Sequence, residues 1–389
     1  MVVGIICEYN PLHLGHQHQL EAIRREFGPD TGIVCLMSGN YVQRGQPAIV
    51  DKSLRAQAAV CAGADLVLEL PVTVSLSSAE GFAAGGVRIL SPICDALCFG
   101  TESGTERNLM RTARALLSPG FSAYLRDALA EGLSFPAARQ KALDQMGLSS
   151  GVLQKPNDIL AVEYCKAILS QSSRLVPFPV HRPGGYHDME ADEENPSATA
   201  VRGLMLRSGL WLDYVPQAAR DCFRDASFHT VAAGERAMLA RLRTMTDQEF
   251  EALPYGSEGL WRKFMHACRE QSSLEAVLTA AKSKRYTRTR LDRMAMCAFL
   301  GLTAQDLQQD QPYSRVLAFS RRGRQILKEH KQSCRLINIG ERTEGPFWER
   351  EQRISDLYGL FSMDSPEAPG QEPNRRVYYQ KEQETSDSC

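Results

Sequence analysis

Two histidines near the start of the chain have the spacing best suited to chemistry. His13 and His16 stand with Gly15 at the predicted start of a helix, directly after the apolar run Val2–Cys7. Residues three apart share one side of a helix, and a glycine lets a large group approach the backbone. The N–H groups and positive end of a helix N-terminus favour an anion. The motif therefore predicts a site that stabilises charge on a nucleotide α-phosphate and its departing pyrophosphate. The alternative is a pair of histidines making ordinary local hydrogen bonds.

A second candidate for phosphate binding lies near residue 200. Ser197 and Thr199 offer hydroxyls at a predicted helix start, and Arg202 adds a cation one turn later. Taken alone, Ser197 is more typical of a plain N-cap than of a phosphate ligand. Paired with the histidine motif, the segment is similar to the second phosphate-binding element of the nucleotidyltransferase superfamily.

The elements that must position these residues alternate between strand and helix. Short apolar runs predict strands at Val2–Cys7, Gly32–Met37, Asp65–Leu70, Asp95–Phe99 and Leu175–Val180. Helical periodicity separates them at Gly15–Phe27, Asp51–Cys61 and Ser77–Leu90, with a further helix near Ser197–Ser208. This alternation predicts an α/β fold, a Rossmann-like doubly wound parallel sheet of the nucleotidyltransferase type. Ligands then bind beyond the carboxyl ends of the strands.

The rest of the chain has a different pattern. About residues 216–360 favour helices with almost no strand signal, and the segment beyond Met363 is polar and poor in apolar residues. We therefore expect an ATP-binding catalytic domain at residues 1–210, an all-helical domain at 211–362 and a disordered tail at 363–389.

Composition excludes several classes of protein. The net charge of -1 excludes a protein that is basic overall, so a nucleic-acid surface must be local. Eleven cysteines, an odd number with no signal peptide, favour a reduced cytoplasmic protein. Cys94 and Cys98 have no partner pair at zinc-ligand spacing, so we expect no metal site. No segment predicts a membrane partner, and the sequence does not predict the oligomeric state.

The helical half contains the clearest basic cluster. Its members are Lys282, Lys284, Arg285, Arg288, Arg290 and Arg293, with Tyr286 among them for stacking on a base. A further basic run follows at Arg321, Arg322, Arg324 and Lys328. These clusters are typical of phosphate-backbone binding, although charge runs also form ordinary solvated helix faces.

The loop after the second strand is a candidate for substrate binding. Gly39 and Gly45 permit tight turns, while Arg44 and Lys52 are suited to holding acetate, phosphate or RNA. We include Ser38, Asn40 and Gln43 in this substrate loop. The alternative is a polar surface loop in which Asp51 caps the next helix.

Five strings identify a family resemblance. They are Glu8–His16, Met37–Ala48, Lys155–Leu160, Gly184–Asp188 and Lys284–Arg290. In this order they resemble the bacterial tRNA(Met) cytidine acetate ligase family, from residue 1 to about residue 360. The resemblance implies a ligase that activates acetate with ATP as acetyl-adenylate and acetylates N4 of the wobble cytidine of elongator tRNA(Met). It also implies that the helical domain at 211–362 binds the tRNA.

The resemblance also implies an ATP site. It maps onto Ile6, Cys7, Glu8, Tyr9, Asn10, Pro11, Leu12, His13, Leu14, Gly15, His16, Gln17, His18, Gln19, Gly100, Asn157 and Arg182. ATP is expected as a substrate with Mg²⁺, and no tightly bound cofactor is expected. Asn157 has an alternative role as a helix N-cap after Pro156, and Leu14 departs from the polar residue expected in relatives.

Two other functions fit part of the sequence. A small-molecule adenylyltransferase acting on a phosphorylated metabolite fits the histidine motif equally well but leaves the helical half without a role. A non-enzymatic RNA-binding adaptor would retain the nucleotide domain as a scaffold, and the intact His13, Gly15 and His16 argue against it.

Overall fold

The computed structural model describes residues 1–148, 150–181, 196–207 and 210–381. The strands of its first half are β1 (Val2–Cys7), β2 (Gly32–Ser38), β3 (Tyr41–Val42), β4 (Gln46–Pro47), β5 (Leu66–Leu70), β6 (Ala96–Thr101) and β7 (Val176–His181). The helices are α1 (Leu14–Phe27), α2 (Lys52–Cys61), α3 (Val72–Ser75), α4 (Ala79–Leu90), α5 (Glu106–Leu116), α6 (Pro119–Ala130), α7 (Phe135–Gln145), α8 (Pro156–Ser170) and α9 (Ala198–Met205). The five strands and the alternating helices predicted from the sequence are confirmed.

The second half contains both helices and strands. The helices are α10 (Val231–Thr244), α11 (Asp247–Glu251), α12 (Leu260–Glu270), α13 (Leu274–Ala281), α14 (Arg288–Leu300), α15 (Arg321–Glu329) and α16 (Pro346–Tyr358). The strands are β8 (Ser314–Phe319), β9 (Leu336–Asn338) and β10 (Tyr378–Tyr379). Short 3-10 helices lie at Ser150–Leu153, Leu210–Tyr214, Gln217–Phe223, Asp306–Gln308, Gly359–Phe361 and Glu372–Asn374.

A single sheet organises the fold, in the strand order β10-β8-β5-β2-β1-β6-β7, with β9 pairing with β8. Strands β5, β2, β1, β6 and β7 are parallel, as the crossover helices require. Alternate residues of β2 pack into two different apolar clusters: Val34 and Leu36 into one, Ile33 and Cys35 into the other. Both faces of the sheet are therefore covered, which explains why its strands are almost entirely apolar. The Rossmann-like α/β fold is confirmed.

The expectation that the second half is helical throughout is wrong. Strand β8 pairs antiparallel with β5, and β9 and β10 extend the sheet further. Without β8, strand β5 would leave its outer edge unpaired. The β8 sequence is short and contains Leu, Ala and Arg, so its periodicity does not distinguish a strand from a buried helix. The predicted boundary at residue 211 therefore does not separate the sheet from the helices.

The disordered tail is also contradicted for the residues that the structure describes. Glu372 is fully buried, and Tyr378 pairs with Ala318 of β8. The segment's polar composition is misleading because its charged side chains pair with buried charges of the first half, such as Lys52. Residues 382–389 lie outside the described part. No helix within the described ranges is both long and apolar enough to cross a bilayer.

Candidate active site

A cavity of about 550 Å³ opens where β1, β6 and β7 end. The first residues of α1, α8 and α9 contribute to its wall, so three helix N-termini surround one space. This position agrees with the expectation that ligands bind beyond the carboxyl ends of parallel strands. Backbone N–H groups and the positive ends of helix dipoles make such a space suited to an anion.

The two histidines occupy different positions. His16 lines the cavity, whereas His13 is fully buried, caps α1 and does not line the cavity. The His13 backbone N–H donates to Nδ1 of His16 at 3.2 Å, and the two rings stack with centroids 3.7 Å apart. Because Nδ1 accepts a hydrogen bond, a neutral His16 carries its proton on Nε2. The two imidazoles therefore lie together on one side, as expected, but only His16 lines the cavity and the His13 ring stacks against it.

Most residues of the predicted ATP-binding segment Ile6–Gln19 line the cavity. Those lining the cavity are Ile6, Cys7, Glu8, Tyr9, Asn10, Gly15, His16, His18 and Gln19. Pro11 and Leu12 are buried beneath the turn, and Leu14 and Gln17 face away from the cavity wall. Burial raises the pKa of the Cys7 thiol well above its usual value, so this cavity residue stays protonated.

The second predicted phosphate-binding segment, Ser197–Arg202, contacts the segment of the histidine motif directly. Ser197, Thr199 and Arg202 all line the cavity. Arg202 donates through Nη1 to the carbonyl of Asn10 at 2.6 Å and through Nη2 to Oγ1 of Thr199 at 3.2 Å. The Ser197 hydroxyl accepts from the Ala200 N–H at 3.0 Å, so the N-cap role is also present. The two predicted phosphate-binding segments thus form one site, although nearly 190 residues separate them.

Gly100 and Asn157 complete the opposite side. A Cβ atom added at Gly100 would meet no atom within 4 Å, so the space next to this backbone is open. Lys155 caps α8, which makes the N-cap role of Asn157 wrong; Asn157 instead lines the cavity. Its Nδ2 atom is buried and has no hydrogen-bond partner within the described ranges. An unsatisfied buried donor of this kind suits a ligand acceptor. Arg182 lies outside the described residues.

Asp158 holds the loop that follows β6. It accepts from the N–H groups of Glu102 at 2.8 Å and Ser103 at 3.1 Å, and from the hydroxyls of Ser103 at 2.5 Å and Thr101. Burial alone would raise the pKa of Asp158, but these hydrogen bonds outweigh burial and lower the pKa. The carboxylate therefore remains ionised and fixes the start of α5 relative to Gly100.

The substrate loop divides into two parts. Gln43 and Arg44 line the cavity, and the Gln43 N–H donates to Oε1 of Glu8 at 2.8 Å. Ser38 and Asn40 are buried away from it, and Asn40 Oδ1 accepts from the Lys52 N–H at 3.0 Å.

Lys52 does not face the cavity either. Its ammonium is 3.0 Å from Glu69 and 2.6 Å from Glu372, in a buried ion-pair cluster. The expected contact of Lys52 with acetate, phosphate or RNA is therefore wrong. Asp51 caps α2 by accepting from the Ser53 N–H, as the alternative proposed.

Two features of the site are not predicted from the sequence, a buried arginine and an apolar wall. Arg55 is fully buried and donates to the carbonyls of Glu8 at 2.6 Å, Ser38 at 3.1 Å, Val50 at 2.8 Å and Gly39. It thereby joins the loops after β1 and β2; an arginine within an alanine-rich helix face was the available signal. An apolar wall formed by Phe82, Phe99, Leu160 and Tyr164 also escaped prediction.

The predicted basic cluster at residues 282–293 is less free than its sequence indicates. Arg285 lies 3.2 Å from Glu258, and Arg288 lies 2.6 Å from Glu275 and 2.8 Å from Asp292. Arg290 donates to the Tyr255 carbonyl at 2.7 Å, and Arg293 is buried and bonded to the Gln43 carbonyl at 3.4 Å. Lys282 and Lys284 are exposed.

Tyr286 is not available for stacking on a base. Its ring is buried, the Arg290 guanidinium lies 4.8 Å from the ring centroid, and its hydroxyl bonds Glu258 at 3.2 Å. The expected stacking role is therefore wrong.

Comparison with known proteins gives one consistent result. The chain matches the family described as HIGH Nucleotidyl Transferase over residues 1–372. It is 37% identical over 351 residues to a tRNA(Met) cytidine acetate ligase of Clostridium novyi, covering 85% of this chain and 87% of the relative. A tRNA(Met) cytidine acetate ligase of Alkaliphilus metalliredigens is 34% identical over 423 residues, covering 98% and 99%.

Solved structures of Thermotoga maritima TmcAL are similar over the same extent. The apo form has a TM-score of 0.88 at 28% identity, covering 98% of this chain and 100% of that one. The form bound with alpha-thio ATP has a TM-score of 0.85 at the same identity and coverage.

Proposed function

The chain belongs to the tRNA(Met) cytidine acetate ligase family, and from this premise we propose that it activates acetate with ATP and acetylates N4 of the wobble cytidine of elongator tRNA(Met). The observation that carries the proposal is the junction of the two phosphate-binding segments. Arg202 reaches from α9 to the Asn10 carbonyl, so His16, Thr199 and Arg202 surround one cavity. Relatives with this name match along nearly the whole chain, and this favours the ligase over the small-molecule adenylyltransferase and the RNA-binding adaptor.

ATP binding follows from the charges around the cavity. Its phosphates bind at the N-termini of α1 and α9, where His16 and Arg202 supply donors and backbone N–H groups face the ligand. The backbone of Gly100 and the amide of Asn157 contact the nucleoside. Mg²⁺ would accompany ATP as its phosphate-bound counterion and would neutralise charge on the phosphates.

The first reaction forms acetyl-adenylate. An oxygen of acetate attacks the α-phosphorus, and pyrophosphate leaves from the opposite side. His16 donates to the charge that develops on the phosphate oxygens, and removing one such donor typically costs about 100-fold to 1,000-fold in rate. His13 acts indirectly, since its backbone N–H fixes the orientation of the His16 ring.

The second reaction transfers the acetyl group. The exocyclic amine of an unstacked cytidine attacks the acetyl carbon, and AMP leaves. The Gln43–Gln46 loop contacts both the cavity and the helical half of the molecule. It lines the cavity, and Gly45 packs so closely on α14 that an added Cβ would lie 2.4 Å from the Arg293 nitrogen. An RNA held by the helical half therefore lies beside the adenylate. Anticodon-loop bases are accessible to such insertion.

The test uses purified protein, ATP, labelled acetate and bulk tRNA. The proposal predicts labelled acetylcytidine confined to elongator tRNA(Met), dependent on ATP and absent with His16→Ala. A matched Glu26→Ala variant, at an exposed position of the same helix that does not line the cavity, controls for general damage to α1. ATP consumption without labelled RNA, and with AMP attached to a phosphorylated metabolite, would instead establish the small-molecule adenylyltransferase.

A further inference from the structure

Three arginines form one exposed face of α5. Arg107, Arg111 and Arg114 have the spacing i, i+4 and i+7, which places them on the same side of the helix. All three are exposed, and none forms an ion pair with any residue in the described ranges. The opposite side of α5 is packed into the core through Leu109, Thr112, Ala113 and Leu116. We call Arg107, Arg111 and Arg114 the arginine face of α5.

Within the described ranges, no arginine of this face is paired with an acid, whereas two arginines of the cluster at residues 282–293 are. In the 282–293 segment, Arg285 and Arg288 lie within 3.2 Å and 2.6 Å of glutamates. A phosphate must displace those glutamates before it can bind. It meets no such competitor at α5, where each guanidinium retains its full charge and its planar set of donors.

The loop before α5 fixes this face relative to the cavity. The segment Glu102–Gly104 connects the end of β6 to α5, and Asp158 holds it through hydrogen bonds to three successive N–H groups. Glu102 also accepts from the N–H of Asn157 at 3.2 Å. Arg107 therefore lies one turn beyond a segment that contacts the cavity wall. From there the face extends about 10 Å along the helix, at 1.5 Å per residue.

A row of unpaired guanidinium groups beside a cavity suits a chain of phosphates. Arginine forks match phosphate oxygens in a bidentate manner, and contacts along a backbone are independent of base sequence. The Gln43–Gln46 loop lines the cavity and packs on α14, and Asn157, which also lines the cavity, is bonded to the β6–α5 loop through Glu102. An RNA that inserts one base into the cavity has backbone on both sides of that base.

We propose that the arginine face of α5 binds the phosphate backbone of the tRNA whose cytidine enters the cavity. This inference rests on the proposed function, because it takes the tRNA substrate from there. It assigns part of the RNA surface to a helix of the nucleotide-binding half, in addition to the Arg44 loop and the basic clusters of the second half that the sequence predicts.

The test compares two triple variants that remove the same charge. One is Arg107→Gln, Arg111→Gln and Arg114→Gln. The control is Arg174→Gln, Lys331→Gln and Arg342→Gln, three exposed cations outside the basic clusters at residues 282–293 and 321–328. Arg174 lies directly before β7, at the amino ends of the parallel strands and so opposite the cavity. The affinity of each protein for elongator tRNA(Met) is measured between about 50 and 200 mM salt, and its affinity for ATP is measured separately.

The α5 variant is expected to bind tRNA at least about tenfold more weakly. The slope of log K against log[salt] should decrease in magnitude by about 2 to 3, because each phosphate contact contributes about 0.7 to 0.9. ATP affinity and the unfolding temperature should stay unchanged, and the control should bind like the wild type. Wild-type affinity and slope in the α5 variant would overturn the inference, as would an equal loss in the control.

The same experiment separates this inference from the proposed function. If the wild type acetylates tRNA and the α5 variant binds tRNA with the same affinity and salt dependence, only the role of the arginine face is refuted. A wild-type protein that neither binds nor acetylates tRNA refutes the proposed function and the inference with it. Selective capture of an acidic protein, with tRNA affinity unaffected by the α5 substitutions, would assign the face to a protein partner and also overturn the inference.

Discussion

The buried carboxylate of Glu372 should be essential to the stability of the fold, although it lies in a segment whose composition predicts disorder. Glu372 is fully buried and accepts from Lys52 at 2.6 Å, Arg315 at 2.5 Å, Arg375 at 3.0 Å and the Ser355 hydroxyl at 2.8 Å. Replacing it with glutamine preserves its shape and removes its charge. We expect Glu372→Gln to lower the free energy of unfolding substantially.

The magnitude follows from the partners that remain. Removing one partner of a buried ion pair typically costs about 3 to 5 kcal/mol, because the other charge is left uncompensated. Lys52 keeps Glu69 at 3.0 Å, and Arg315 keeps Glu69 at 2.9 Å and Glu351 at 2.8 Å. These remaining pairs place the expected loss at the lower end, about 3 kcal/mol. A chain ending at Met363 should lose more, since it also lacks the pair between Arg375 and Asp51 at 2.7 Å.

The effect should depend on pH in a defined direction. Burial alone would raise the pKa of Glu372, but Lys52, Arg315 and Arg375 outweigh it and lower the pKa below that of an unfolded glutamate. The unfolded pKa of a glutamate is about 4.3. The stabilisation by Glu372 is therefore complete at about pH 5 and above, and it is lost progressively as the pH falls towards the lowered pKa of the folded state. The difference between wild type and variant should shrink in acid.

Urea unfolding followed by circular dichroism at pH 7 and pH 4 measures both effects. The exposed Glu344→Gln variant is the matched control and should stay within about 0.5 kcal/mol of the wild type. A Glu372→Gln variant as stable as the control at pH 7 would refute the reasoning. A loss of equal size at both pH values would show that the charge is not its cause.

Three further predictions concern the site. His16→Ala should reduce acetate-dependent ATP–pyrophosphate exchange by at least about 100-fold with an unchanged circular dichroism spectrum, and a rate within tenfold of wild type would contradict its role. Gly100→Ala should raise the dissociation constant for ATP by about tenfold without lowering the unfolding temperature, because an added Cβ meets no protein atom within 4 Å; calorimetric titration giving an unchanged constant would show that ATP does not approach this backbone. Arg55→Met should lower the free energy of unfolding by about 3 kcal/mol, since four buried carbonyls lose their donor, and a loss below about 1 kcal/mol in urea would show that water replaces the guanidinium.

The sequence predicts the parallel sheet well because local and global signals agree there. Strands such as Gly32–Ser38 are buried on both faces, so their composition alone indicates their state. The His13–His16 and Ser197–Arg202 segments were also recognisable, since each combines polar donors with a helix start. The sequence does not show which of these side chains is buried and which lines the cavity. Whether His13 or His16 faces the cavity depends on the turn before α1.

Long-range pairing explains the remaining errors. Strand β8 joins β5 across nearly 250 residues, and the Arg375–Asp51 pair spans 324 residues. Such contacts leave no periodic signal in either partner. Lys52 looked like a ligand for an anion for the same reason, because its carboxylate partners Glu69 and Glu372 are distant in sequence. The sequence also does not show that the arginines of α5 lack ion pairs, since this depends on which acidic side chains lie beside each arginine in the fold.

The fate of the acetate oxygens tests the central claim most directly. The protein is incubated with ATP, elongator tRNA(Met) and acetate labelled with ¹⁸O in both carboxylate positions, and the products are analysed by mass spectrometry. Attack of acetate on the α-phosphorus followed by transfer to the cytidine amine predicts a single ¹⁸O in AMP and a single ¹⁸O in the acetyl group of acetylcytidine. Unlabelled AMP, with the label in inorganic phosphate or pyrophosphate, would contradict an acetyl-adenylate and the account built on it.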